Sequence, residues 1–163
     1  MSLPPFEHLL EQFRAPVYRY LVAIAGPAEA EDCFQETFIA ALRAYPRLNP
    51  SSNVKAWLFT IAHRKAIDSI RATSRRPIPA EIAEQNGHLA DPVETPEIWG
   101  AVRMLPTKQS QAVLHRHLAG LPYREIAEVM GTSEEAARRN VHEGLKRLRK
   151  IIESPAPKET IRP

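Results

Sequence analysis

The chain has 163 residues, 44% apolar and 25% charged, which excludes a disordered polymer and leaves room for one ordinary domain or two small ones. Net charge is only +3 but unevenly spread: five basic residues stand against Asp68 alone from Arg64 to Arg76, and six against Glu143 alone from Arg138 to Lys150. Cys33 is the only cysteine, which excludes an internal disulfide, and no apolar run approaches the ~20 residues of a membrane helix, so a soluble, cytoplasmic protein without membrane insertion is expected.

Phe6, Leu9, Leu10, Phe13, Val17, Leu21 and Ile24 recur at helical spacing and predict a first helix. Pro16 is expected to break or kink it, and Gly26-Pro27 to end it. A second helix is predicted over about 28–45, with Phe34, Thr37, Phe38, Ala41, Leu42 and Tyr45 inward and Asp32, Gln35, Glu36 and Arg43 opposite. Pro46 to Asn53 has loop composition. A third helix, capped by Asn53, runs to about Thr73 with Val54, Trp57, Leu58, Ile61, Ala62, Ile67 and Ile70 as its apolar face.

From Pro77 to Ile98 there are four prolines, five carboxylates and no Lys or Arg, the composition of a flexible linker. It divides the chain into residues 1–76, a linker 77–96, a second domain 97–153 and a polar tail 154–163. Each half is small enough to be marginally stable alone, so the halves should lean on each other or on a partner. The expected fold class is all-α, two small helical domains joined by that linker.

In the second half, Ile98, Trp99, Val102 and Leu105 pattern one helix, and Thr107 is expected to cap the next after Pro106. Pro122 suits a first helical position. The stretch LPYREIAEVMGTSEEAARRNVHEGLKRLRK then has helix-turn-helix logic. Ile126 and Met130 point inward, Ala127 permits close approach, and Gly131 supplies the positive φ of a sharp turn. Thr132 or Ser133 caps the following helix, with Thr132 and Glu135 spaced as a capping box. Ala137, Val141, Leu145, Leu148 and Ile152 give that helix one apolar seam. Its outward N-terminal end carries Glu134, Glu135, Arg138, Arg139 and His142, with Lys146, Arg147, Arg149 and Lys150 beyond. Such an end enters the major groove, where Arg reads guanine and Glu reads cytosine, while basic residues farther along suit phosphates. The two glutamates serve equally well as partners of the helix dipole.

The run AEDCFQETFIAALRAYPRLNPSSNVKAWLFTIAHRKAIDSIRATSRR closely resembles region 2 of bacterial sigma factors of the extracytoplasmic-function (ECF) group, and WGAVRMLPTKQSQAVLHRHLAGLPYREIAEVMG resembles their region 4. The resemblance implies a protein that catalyses nothing and directs core RNA polymerase to promoters. It implies that Asp32, Gln35, Glu36 and Arg43 dock on the clamp of the largest polymerase subunit, with a second contact at the flap. It places Asn49, Ser51, Ser52 and Asn53 around a base flipped from the opened minus-10 strand, and Arg64, Lys65, Arg71, Arg75 and Arg76 along its backbone. Trp57 and Phe59 could stack on bases, although Trp57 at its helical spacing is more often core. The minus-35 duplex falls to Ser133, Glu134, Glu135, Arg138, Arg139, Asn140, His142 and Lys146. Where family members often carry a β-branched and a basic residue, this chain has Ala137 and Asn140, which changes the promoter sequence expected rather than the role.

An anti-sigma factor is the other partner the resemblance implies. The architecture itself allows the two domains to pack together and hide their DNA faces, with the acidic linker against a basic patch, until polymerase separates them. No cofactor or metal is expected: His115 and His117 point different ways, and His63 reads as a partly buried neighbour of Trp57 or Phe59. Cys33 reads as packing, and Gly144 inside a helix suggests only a close approach. The alternatives are a helix-turn-helix regulator that binds duplex DNA without polymerase, and a helical enzyme or metal-binding bundle, for which no constellation of carboxylate, histidine and cysteine is present.

Overall fold

The computed structural model describes residues 2–74 and 96–154. Its elements are α1 (Phe6–Ala25), α2 (Pro27–Ala44), a 3-10 turn (Tyr45–Arg47), α3 (Val54–Ser74), α4 (Pro96–Arg103), α5 (Thr107–His117), α6 (Tyr123–Met130) and α7 (Glu134–Glu153). The all-α expectation holds, with no strand among the described residues. The linker from 77 to 95, the tail beyond Ser154, and Arg75 and Arg76 lie outside them.

In the first half α1, α2 and α3 pack against one another in pairs. Pro16 does not break α1, contrary to expectation. A proline inside a helix costs about 3 kcal/mol. Val17, Tyr20, Leu21 and Ile24, all buried just beyond it, offset that cost at roughly 1.5–3 kcal/mol per large apolar side chain. Gly26, at φ 87°, makes the sharp corner into α2, and Pro27 opens that helix. Asn53 caps α3 as expected, its Oδ1 accepting from the Ala56 amide at 3.1 Å.

In the second half α5 and α6 both lie on α7, and α4 packs on α5 and α7. Gly131, at φ 65° and ψ 40°, ends α6 in the left-handed conformation. The Thr132 amide reaches back to the Ala127 carbonyl and the Gly131 amide to that of Glu128, which together satisfy the last turn of α6. The cap of α7 is Ser133, whose Oγ accepts from the Ala136 amide at 3.1 Å. Thr132 instead donates to the Ser133 carbonyl at 3.4 Å, so the expected Thr132–Glu135 capping box does not form. Thr107 is the first residue of α5 and caps nothing, and Pro122 precedes α6 rather than opening it. The apolar seam of α7 ends at Ile151, which packs on the core, while Ile152 is exposed.

Gly144 now has a reason. A Cβ there would stand 2.7 Å from Val113 Cγ2 and 3.3 Å from the Gln109 carbonyl, so α5 and α7 touch where only a hydrogen fits. Gly144→Ala should therefore lower stability by about 1–3 kcal/mol through overpacking, although alanine is the better helix former by roughly 1 kcal/mol. Urea denaturation checks the sign, and an unchanged or raised midpoint would show that the α5–α7 contact yields.

The two halves share one hydrophobic core. Tyr20, Leu21, Leu58 and Phe59 from the first half and Leu114, Leu121 and Ile126 from the second belong to the same buried cluster. Across the join α1 meets α4 and α5, and α3 meets α6. Two small cores that would be marginal alone are thereby merged into one.

Candidate nucleic-acid interface

Helix α2 buries Ala30, Cys33, Thr37, Phe38 and Ala41 against α1 and α3. Asp32, Gln35, Glu36 and Arg43 are all exposed on the opposite side. Ile39 (50% exposed) and Leu42 (55%) stand among them. Leu42, expected inward, thus faces outward, because at 100° per residue it lies closer to Gln35 and Ile39 than to Ala41. The outcome is a helix face whose centre is apolar and whose surroundings are charged, the pattern of a protein-docking surface. Sequence spacing placed Leu42 on the packing stripe and did not single out Ile39, so this apolar part was not legible. Cys33 is buried as expected, and burial pushes its thiol pKa up, so it is not a reactive group.

The segment after α2 is a knotted polar turn. Asn49 Oδ1 accepts from both the amide and the hydroxyl of Ser51, at 3.0 and 2.9 Å, and the Ser52 amide donates to the Asn49 carbonyl at 2.9 Å. Leu48 anchors this turn to the core. Asn53 is engaged at both ends of its amide: Oδ1 caps α3, and Nδ2 donates to Glu125 Oε1 of α6. Along α3, Arg64 and Arg71 are exposed and Lys65 is half-buried. Trp57, Arg64 and Arg71 are seven residues apart and therefore share one stripe. Trp57 is half-buried with its ring 6.1 Å from that of Tyr45. Phe59 is fully buried, edge-on to Tyr20 at 5.6 Å, and has no surface with which to stack on a base.

On α7, Glu134, Glu135, Arg138, Arg139, His142 and Lys146 are exposed together with the cap Ser133, and Asn140 is half-buried. Arg138 pairs with Glu134 at 3.4 Å and lies 5.1 Å above the Tyr123 ring. Arg116 covers the same ring at 4.4 Å and donates to the Leu121 carbonyl at 3.2 Å. Tyr123 and Arg116 were not foreseen. Nothing in the local pattern of α5 or α6 shows that their ends converge beneath Arg138.

His63 is not a casual neighbour of Phe59. Its Nδ1 lies 3.1 Å from Tyr20 Oη and 3.1 Å from His115 Nε2, and those two atoms are 3.2 Å apart. Burial lowers the His63 pKa to about 4, with Arg64 adding to the effect, and drives that of His115 well below its ordinary value, with His63 adding to it. The expected divergence of His115 from exposed His117 holds. No group of three or more His, Cys, Asp or Glu among the described residues could hold a metal ion.

Two family models match the chain: Sigma-70 region 2 over residues 9–76, and Sigma-70, region 4 over residues 96–148. The ECF RNA polymerase sigma-E factor of Haemophilus influenzae is 30% identical over 167 residues, covering 91% of this chain and 86% of its own. The ECF RNA polymerase sigma factor SigC of Mycobacterium tuberculosis is 29% identical, covering 77% of this chain and 71% of its own. Among solved structures, the sigma factor RpoE in complex with the anti-sigma factor NepR from Bartonella quintana superposes with a TM-score of 0.76 at 22% identity, over 93% of this chain and 98% of its own, a likeness of fold. No helix of the described residues is long and apolar enough to cross a membrane.

Proposed function

Because the chain belongs to the ECF family of RNA polymerase sigma factors, we propose that it binds core RNA polymerase and selects promoters by reading a minus-35 duplex and an opened minus-10 strand. Residues 1–76 act as region 2 and residues 97–153 as region 4, with 77–96 between them. The exposed face of α2 docks on the clamp through Asp32, Gln35, Glu36 and Arg43, around Ile39 and Leu42. The supporting observation is this face, two carboxylates one turn apart framing exposed apolar side chains, on a chain that carries both regions in order.

For the minus-10 strand, Asn49 and Ser52 offer the Asn49 Nδ2 and the Ser52 hydroxyl, since the Ser51 hydroxyl is bound to Asn49 Oδ1 and the Asn53 side chain is held by the Ala56 amide and Glu125. Extruding a base costs a few kcal/mol, which contacts in this turn must offset. Arg64, Lys65 and Arg71 of α3 hold the backbone, and Arg75 and Arg76 continue that series. Ser133, Glu134, Glu135, Arg138, Arg139, Asn140, His142 and Lys146 meet the minus-35 duplex, with region 4 also at the flap. The role is recognition without catalysis, in the cytoplasm where polymerase works. RpoE of Bartonella quintana is seen with NepR, and CnrH with the cytosolic domain of CnrY, which supports an anti-sigma partner for this chain as well.

The test is transcription in vitro with core polymerase from the source organism and a pool of that organism's upstream sequences. Protein-dependent start sites preceded by a shared two-part element are the expected result. If no start depends on the protein while it shifts duplex DNA unaided, a polymerase-independent regulator replaces this reading.

A further inference from the structure

We propose that Tyr20, His63 and His115 form a proton-operated latch that holds the two halves together in the free protein and keeps the entrance of α3 covered by α6. The three side chains come from three helices, α1 and α3 of one half and α5 of the other, and their polar atoms stand 3.1, 3.1 and 3.2 Å apart. Tyr20 and His115 are fully buried and stacked, ring centroids 4.8 Å apart.

A triangle of one hydroxyl and two imidazoles closes only with both rings neutral. His115 Nε2–H donates to Tyr20 Oη, and the Tyr20 hydroxyl donates to the bare His63 Nδ1. This arrangement leaves His115 Nδ1 as a bare lone pair, in agreement with its having no partner. The opposite tautomer would bury an orphan N–H, the costlier omission. An added proton on either ring leaves a hydrogen without an acceptor and a charge at the join. Among the described residues no carboxylate acts on either ring. Besides burial, Arg64 acts on His63 and His63 on His115, each against an added proton. Of the other charged groups at the join, Glu125 of α6 accepts from Asn53, Arg103 of α4 donates to the Val22 carbonyl, and Lys55 of α3 lies beside Gly120.

The sign follows from linkage. Once the halves part, both rings return toward an ordinary histidine pKa of about 6.5, whereas in the closed state burial holds His63 near 4 and keeps His115 well below its ordinary value. The open state therefore binds more protons between those limits. Closure is complete above about 6.5 and is lost as pH falls toward 4, the closed-to-open ratio dropping roughly tenfold per pH unit for each proton taken up. Opening frees Asn53 from Glu125 and separates α3 from α6, so the minus-10 turn and region 4 become available together.

Small-angle scattering of the full chain between pH 7.5 and 4.5, with circular dichroism alongside, tests the latch. The radius of gyration should rise below about pH 6 while helix content is unchanged, and His115→Leu should stay compact at pH 5. A wild-type chain that stays compact at pH 4.5, or a His115→Leu chain that opens as wild type does, overturns the proposal. Should His115→Leu fail to fold, Tyr20→Phe decides. It keeps the packing and removes the bridging hydroxyl, so opening must move to higher pH, and an unmoved midpoint overturns the latch. Scattering reads the spacing of the halves with neither polymerase nor DNA present, so the latch and the promoter reading stand or fall separately.

Discussion

Leu42→Asp should abolish most polymerase-dependent transcription, by at least about thirtyfold, while leaving the unfolding midpoint nearly unmoved. Leu42 is 55% exposed on α2, so little folding energy rests on it, and surface substitutions of this kind usually stay within ~0.5 kcal/mol. In a docked complex the same side chain would be buried beside Gln35 and Ile39, on the face that Asp32, Glu36 and Arg43 complete. An apolar anchor buried in an interface carries about 2 kcal/mol or more when removed, which is the thirtyfold, and a carboxylate placed there must also be desolvated. Asp32→Ala should act in the same direction but less, since rim charges contribute mainly to association rate. The check pairs run-off transcription with thermal unfolding on the same preparations. Transcription at wild-type level from Leu42→Asp would remove α2 from the polymerase contact.

What the sequence showed well is what local chemistry decides. The Gly131 turn, the capping of α3 by Asn53 and the outward face of α7 each depend on residues within about four positions of one another, and all were legible. The failures share a different cause. Pro16 stays inside α1 because residues far along the chain bury the turn that follows it. Phe59 and Trp57 are both aromatic and both at helical spacing, and only the position of Tyr20 on α1 determines which of them is sealed in. His63 and His115 are 52 residues apart, and their meeting requires the two halves to close. Of the candidate site, the charged face of α2 was legible and its apolar centre was not, because Ile39 and Leu42 look like core residues until the packing direction of α2 is known.

Arg138 and Lys146 should fail in different ways, and the difference separates base reading from phosphate contact. Arg138 is held before any DNA arrives: Glu134 lies 3.4 Å from one end of its guanidinium, and Tyr123 supports its plane at 5.1 Å. A side chain already oriented loses less rotamer freedom on binding, so more of its contact with a guanine edge is retained as specificity. Lys146 is exposed two turns farther along α7, suited to a backbone charge rather than a base edge. With polymerase holoenzyme and promoters randomised across the minus-35 element, Arg138→Ala should flatten the preference at one base pair, by roughly 1–3 kcal/mol. Lys146→Ala should weaken all sequences alike and reduce the salt slope by about one. Tyr123→Leu, which removes the support but leaves the guanidinium, should weaken the same base-pair preference in part, whereas a phosphate clamp would not distinguish one base pair from another. If Arg138→Ala lowers every sequence equally, Arg138 is such a clamp, and the base reading must move to Glu134, Glu135 or Arg139 on the same exposed turns of α7.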